Sequence, residues 1–343
     1  MSRYVIIGAG ALGTALAAEF DAAGIDSVVV ARGAQREALA GGPLRYARPG
    51  GVRRVPLSVI GGPADIALTG DDVLVVAVKA HQAQTVLQEW AGASVRLDTD
   101  SETVAAETLP VVTLQNGIDT EAVAARYFAT VIGASVWIPA NFVVPGSTEV
   151  HSAGAAGLVW LGEYGSATGD DVSASAVAAD LRRADFDAQV VPDIERWKRA
   201  KLLSNLGNAI DVLAGSDAER ARAEALVRAE ADAVFAAAGW DVADYRTESA
   251  LDIGAFRATP VPGTDGPRRS TWQSLRRGAG TVETDHLNGQ IVLLGKQLGV
   301  PTPANLRVQQ ALRRLAGSGA HPGDLGIADV IGPVPDAKGL IDA

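Results

Sequence analysis

Residues 4–13 read Tyr4-Val5-Ile6-Ile7-Gly8-Ala9-Gly10-Ala11-Leu12-Gly13 and open into an alanine-rich run. Four consecutive apolar residues suit a parallel strand that is buried on both faces. The glycines that follow keep the G-x-G-x-x-G spacing. Gly8 permits a tight turn, Gly10 lets backbone approach a pyrophosphate, and Gly13 lets the next helix lie close on the strand. The N–H groups that begin this helix, from Ala11 and Leu12 to Gly13, attract phosphate. Strand, glycine turn and helix therefore predict a dinucleotide-binding βαβ unit. The competing reading is a secretory signal, because Arg3 precedes an apolar run ending in Ala15-Leu16-Ala17-Ala18. Three glycines at the fingerprint spacing directly after a strand pattern favour the nucleotide fold.

A second strand, Ser27 to Ala31, runs into Arg32-Gly33. Sites specific for NAD place Asp or Glu at this point to bond the ribose 2′-hydroxyl. A guanidinium here can instead hold the 2′-phosphate of NADPH through charge-assisted hydrogen bonds. NADPH is accordingly the expected cofactor, and the alternative is that Arg32 is a solvated turn residue.

The chain has 343 residues, 48% hydrophobic and 20% charged, enough for two cores. Its formal net charge of −10 provides no basic stripe for nucleic acid. Charged residues or glycines interrupt each apolar run before it reaches membrane-spanning length, so no membrane partner is expected. The absence of cysteine excludes disulfides and thiolate chemistry and suits a cytoplasmic protein. His81, His151, His286 and His321 are scattered, and no metal is expected.

Further strands are predicted at Val73 to Val78, Pro110 to Leu114, Thr130 to Trp137, Thr148 to His151, Gly157 to Gly162 and Gln189 to Val191. Strands alternating with helical patterns imply an α/β domain with a doubly wound sheet over 1–192. From Ile194 the pattern turns helical, with helices expected at 194–213, 217–238 and 282–298, so residues 193–316 read as an all-helical domain. Residues 258–269 read as a loop within that domain. The Gly- and Pro-rich stretch 317–343 reads as a loose tail without a packed helix.

Four stretches carry polar groups suited to chemistry. On the 194–213 helix, Lys201, Asn205 and Asn208 fall at i, i+4 and i+7 among leucines, either facing a cleft or as an exposed face with a snorkelling lysine. Val78-Lys79-Ala80-His81-Gln82 and Leu114-Gln115-Asn116-Gly117 each follow a strand, at the sheet edge where ligands bind. Asn116-Gly117 is equally suited to a simple turn. Last come Ser270-Thr271-Trp272 and Glu283-Thr284-Asp285. Asp285 is suited to the helix macrodipole.

These motifs, with Gly299-Val300-Pro301-Thr302-Pro303-Ala304-Asn305, resemble the ketopantoate reductase (2-dehydropantoate 2-reductase) family along almost the whole chain. The resemblance implies an NADPH-binding Rossmann-type domain, a helical C-terminal domain and reduction of a small 2-oxo acid on the way to pantothenate and coenzyme A. It makes Lys201 the general acid and Asn116 the residue that helps position it, with Asn205 and Asn208 on the substrate side. Glu283 would bind the substrate hydroxyl, and Thr271 its carboxylate in place of a family serine. Lys79, Gln82, Asn116 and Arg32 would line the cofactor with Gly8, Gly10 and Gly13. This sequence departs from the family at Ala209, where a second asparagine is common, and at Trp272 and Leu275. A reductase of a different 2-oxo acid, carbonyl or imine is therefore an alternative, and a non-catalytic NADPH-binding regulator a more remote one. The helical domain offers apolar faces that suit a homodimer.

Overall fold

The computed structural model describes residues 2–97, 101–169, 171–264, 266–267, 269–276 and 282–332. Its main sheet has eight strands: β1 Arg3–Ile7, β2 Ser27–Val30, β3 Ser58–Ile60, β4 Asp72–Val76, β5 Val111–Thr113, β6 Val131–Trp137, β7 Gly157–Glu163 and β8 Phe186–Val190. Their spatial order is β3-β2-β1-β4-β5-β6-β7-β8. All neighbours are parallel except β6 and β7, which pair antiparallel. The reversal of order between β1 and β4 is the switch point of a Rossmann-type sheet.

β1 shows why the sheet is covered on both sides. Side chains alternate across a strand. Tyr4 and Ile6 enter one core, with Ala15, Leu16 and Phe20 of helix α1 (Ala11–Ala22). Val5 and Ile7 enter the other, with Val86, Leu87 and Trp90 of helix α3 (Ala80–Ala91). Helix α2 (Gly33–Gly41) follows β2.

The expected strands are present with edges shifted by a few residues; Val78 lies beyond β4, which ends at Val76. The strand expected at Thr148 to His151 lies not in the main sheet but in a second one, ordered Ala140–Val144, Ser147–Val150, Leu44–Arg48, Gly51–Val55, whose other three strands carry no clear period in the sequence. Two of its strands are arginine-rich, and only tertiary contacts show where those charges go. Glu19 of α1 is buried and accepts hydrogen bonds from Tyr46 at 2.6 Å, Arg48 at 3.0 Å and Arg53 at 2.6 Å.

Contacts divide the chain into two units, Met1–Arg199 with Ala243–Arg268, and Ala200–Val242 with Arg269–Ala343. The return of 243–268 to the first unit differs from a helical domain running unbroken from 193. An aromatic cluster of Trp137, Trp160, Trp197 and Tyr245 holds this segment, with the Tyr245 hydroxyl donating to the Trp197 carbonyl at 2.8 Å. The loop expected at 258–269 likewise falls in the first unit up to 268 and not in the helical domain, with Arg269 opening the second unit's segment. Ala258 bridges Ser152, and the Val261 N–H donates to Nδ1 of buried His151, whose pKa burial lowers.

The second unit contains α5 (Asp217–Ala237), α6 (Asn288–Leu298) and α7 (Pro303–Ser318); α4 (Ile194–Asn205) spans the division. Two expected helices are shorter than their periodicity. α4 stops at Asn205 and gives way to a 3-10 turn, Leu206–Asn208, so Asn208 does not continue the helical face. At Gly207 a Cβ would come within 2.6 Å of Glu224 Oε1 on α5, so a larger residue there would have to displace that side chain. The 282–298 segment breaks at Leu287 (φ −113°, ψ −93°) between a 3-10 turn, Glu283–His286, and α6. Asn288 there turns its amide to Asn305 at 3.0 Å. The tail expectation needs correction at Ile327–Ile331, a short helix burying Ile327, Val330 and Ile331; its three apolar side chains outweigh the Gly- and Pro-rich context. Residues 333–343 lie outside the described residues.

Candidate active site

The three glycines of the opening motif do different work. Gly8 has φ +122°, and a Cβ there would meet the Val78 nitrogen at 2.7 Å; a Cβ on Gly13 would collide with the Gly8 carbonyl. Gly13 is thus needed to seat α1 on β1, and Gly8 to let the turn pass the backbone that follows β4. Gly10 has no atom within 4 Å of its would-be Cβ. That open space lies beside the first turn of α1, which Gly10 begins without a side-chain cap. The first N–H groups of a helix have no intrahelical acceptor, and these face a site suited to an anion.

A cavity of 490 Å³ opens at the carboxyl ends of β1 and β2, lined in part by Gly8, Gly10, Arg32, Gln35, His81, Gln82 and Thr85. The residues therefore fit the adenosine and pyrophosphate part of a dinucleotide. Four of the expected cofactor residues, Gly8, Gly10, Arg32 and Gln82, meet here. Ala11, Leu12 and Gly13 form the adjoining helix start, Lys79 is the residue preceding α3, and Asn116 follows β5; none of these lines the cavity. Gln35, unnoticed in the sequence, links the glycine turn to Gly146: its Nε2 donates to the Ala9 carbonyl at 2.9 Å and its Oε1 accepts from the Gly146 N–H at 2.8 Å. Arg32 pairs with Glu89 of α3 at 2.6 Å.

The turn carrying Asn116 rests on a buried ion pair that sequence reasoning missed. Lys198 of α4 is 2% exposed and Glu121 is 1% exposed. The Lys198 ammonium donates to Glu121 Oε1 and, at 3.0 Å, to the Gln115 carbonyl. Thr113 of β5 donates to the same carboxylate at 2.5 Å. The Gln115 side chain reaches across to the carbonyls of Val76 and Val78 at 2.8 and 2.9 Å, fastening the 114–117 turn to the end of β4. A lysine three residues before Lys201 on a partly apolar helix was the available signal.

In the second unit, Lys201 and Asn205 lie on α4, Asn208 on the 3-10 turn, Thr271 on the helix Ser270–Arg276 and Glu283 on the following 3-10 turn. Asn205, Asn208, Thr271 and Glu283 are all buried. Burial pushes the Lys201 ammonium down to about 8, and the charge of Arg269 adds to the shift. Arg269 is itself held by Asp211 at 2.7 Å. Asp285 accepts from Gln309 at 2.8 Å and Arg313 at 2.6 Å, a scaffolding role. The Pro303-Ala304-Asn305 motif is also scaffold, since Glu230 of α5 accepts the Ala304 and Asn305 N–H groups at 2.8 and 3.0 Å. Leu275 is buried, and Arg276 lies over the Trp272 ring at 5.9 Å. Among the described residues no group of three or more His, Asp or Glu side chains is arranged to hold a metal, and no helix is long and apolar enough to cross a membrane.

Sheet order, glycine cradle and cavity define a dinucleotide-binding α/β protein. Residues 4–166 match the family model described as "Ketopantoate reductase PanE/ApbA", and residues 193–316 match its C-terminal counterpart. The chain belongs to the ketopantoate reductase family and is an oxidoreductase of the class acting on CH–OH groups. It is 31% identical over 324 residues to the 2-dehydropantoate 2-reductase of Archaeoglobus fulgidus, covering 91% of this chain and 97% of that protein. The crystal structure of a PanE/ApbA family ketopantoate reductase from Ralstonia eutropha JMP134 superposes with a TM-score of 0.72 at 23% identity, covering 92% and 99% of the two chains. D-mandelate dehydrogenase, solved with NADH and anilino(oxo)acetate, also gives 0.72, at 20% identity and coverage of 92% and 99%. At these identities the two structures speak for the fold.

Proposed function

We propose that this chain reduces 2-dehydropantoate to pantoate with NADPH, using Lys201 as general acid. The observation that carries the reading is the Lys201 ammonium, whose pKa of about 8 lies near an ordinary working pH. An acid is most effective when its pKa is close to that pH. NADPH, when bound, supplies a hydride to C2 of the 2-oxo acid. Lys201 stabilises the negative charge that develops on the C2 oxygen and delivers the proton that completes the hydroxyl. Its amine then recovers a proton from solvent. Glu283 accepts a hydrogen bond from the substrate hydroxyl, Thr271 donates to the carboxylate, and Asn205 and Asn208 complete the substrate side. In the first unit, Gly10 and the start of α1 hold the pyrophosphate, Arg32 the 2′-phosphate, and Lys79, Gln82 and Asn116 the rest of the cofactor. The similarity to the archaeal enzyme supports 2-dehydropantoate as substrate.

Buried Leu275 and the large Trp272 beside Thr271 favour a second reading, reduction of a different 2-oxo acid by the same machinery. The test is loss of dihydronicotinamide absorbance with 2-dehydropantoate beside a panel of 2-oxo acids. A preference for 2-dehydropantoate with kcat/KM of at least ~10⁴ M⁻¹s⁻¹ is expected. Preference for another 2-oxo acid would establish the second reading, and no oxidation with any of them would remove the reductase assignment.

A further inference from the structure

We propose that Glu89 sets cofactor preference: its carboxylate competes with the 2′-phosphate of NADPH for Arg32 and serves as an acceptor for the 2′-hydroxyl of NADH. The inference rests on Arg32 facing the adenosine ribose, the reading that also selects NADPH. Gln82, Thr85 and Val86 line the cavity from α3. Glu89 lies seven residues after Gln82 and three after Val86, on the same helical face. From there its Oε2 reaches the Arg32 guanidinium at 2.6 Å. Its Oε1 lies 3.4 Å from the place of a Cβ on Gly62, so the carboxylate stands between α3 and the loop after β3. Arg36, one turn beyond Arg32, is also engaged by a carboxylate, Asp65 at 3.4 Å.

The Arg32 and Glu89 side chains are 62% and 34% exposed. A pair so exposed is weak, and a phosphate dianion can displace it. The displaced carboxylate nevertheless stays close to that dianion, and the guanidinium is shared between two anions. NADH brings no such repulsion, because its 2′-hydroxyl can donate to Glu89. The wild-type chain should thus discriminate only modestly between the cofactors.

Titrations of the full chain with NADPH and with NADH measure this without any substrate. Removing the carboxylate frees the guanidinium and relieves its repulsion of the dianion, so even with weak exposed-pair energies Glu89→Gln should tighten NADPH by roughly several-fold. NADH affinity should stay the same or weaken, and the NADPH gain should shrink as salt rises. Arg32→Ala should weaken NADPH and spare NADH. Unchanged NADPH affinity in Glu89→Gln, with the selective loss in Arg32→Ala intact, would overturn the role of Glu89 and leave NADPH preference standing. Equal weakening of both cofactors by Arg32→Ala would overturn the phosphate reading and the inference with it.

Discussion

Lys201 and Gly10 are the positions where a single substitution should say most. An ammonium must be charged to act as an acid, so kcat should fall as pH rises through about 8, the value to which burial and Arg269 bring Lys201. Lys201→Ala should lower kcat by ~10²–10⁴-fold while NADPH affinity is unchanged; a near-normal pH–rate profile in the variant would refute the role. The same group leaves a mark on stability. In the unfolded chain Lys201 returns to its ordinary value of 10.5, so between about 8 and 10.5 the unfolded state binds more protons. Stability contributed by this residue therefore rises with pH across that window, and the slope should vanish from denaturation curves of the alanine variant. At Gly10 the prediction separates folding from binding. A methyl group there meets open space, so Gly10→Ala should melt like the parent, while crowding of the bound pyrophosphate weakens NADPH by roughly ten- to a hundredfold. A lowered melting temperature with intact affinity would contradict this. Both residues were legible in the sequence, one through a lysine spaced with Asn205, the other through a glycine pattern with a known steric meaning.

The joint between α4 and the turn after β5 depends on Lys198 and Glu121. Removing one partner of a buried pair strands the other charge, so Lys198→Met should cost about 3–5 kcal/mol in urea denaturation. Pairing it with Glu121→Leu should restore much of that loss; a double-variant loss equal to the sum of the Lys198→Met and Glu121→Leu losses would mean that the charges are not coupled. Neither residue stood out in sequence, because a lysine on α4 and a glutamate after the Asn116-Gly117 turn lie 77 positions apart and only the fold joins them. Long apolar strands such as β1, β2 and β6 were legible from their runs. Leu44–Arg48 and Gly51–Val55 were not, since their arginines look like surface charge until Glu19 is seen between them. Periodicity also overran the end of α4 at Asn205 and hid the break at Leu287, where packing against α5 and α7 overrides helical propensity.

The two units are each compact, and the cavity beside the glycine turn is lined by residues of the first. NADPH should therefore stabilise that unit by mass action, by ~2.7 kcal/mol at a hundredfold excess over Kd, a rise of roughly 5–10 °C in its transition. Differential scanning calorimetry checks this, and a transition that does not move with NADPH would argue against the cavity as the cofactor site. A doubly wound parallel sheet was implicit in the first thirteen residues, because a glycine fingerprint between strand and helix is compatible with few architectures, while the order of its strands came from the fold. Local order of that kind is written in neighbouring residues, and so is the spacing that makes Lys201 and Asn205 candidates. The return of 243–268 to the first unit, the ion pair beneath Asn116 and the hold of Glu89 on Arg32 belong to the tertiary structure alone. Each depends on partners dozens of positions apart, and neither hydrophobic period nor motif spacing records which distant charges or rings will meet once the backbone is folded.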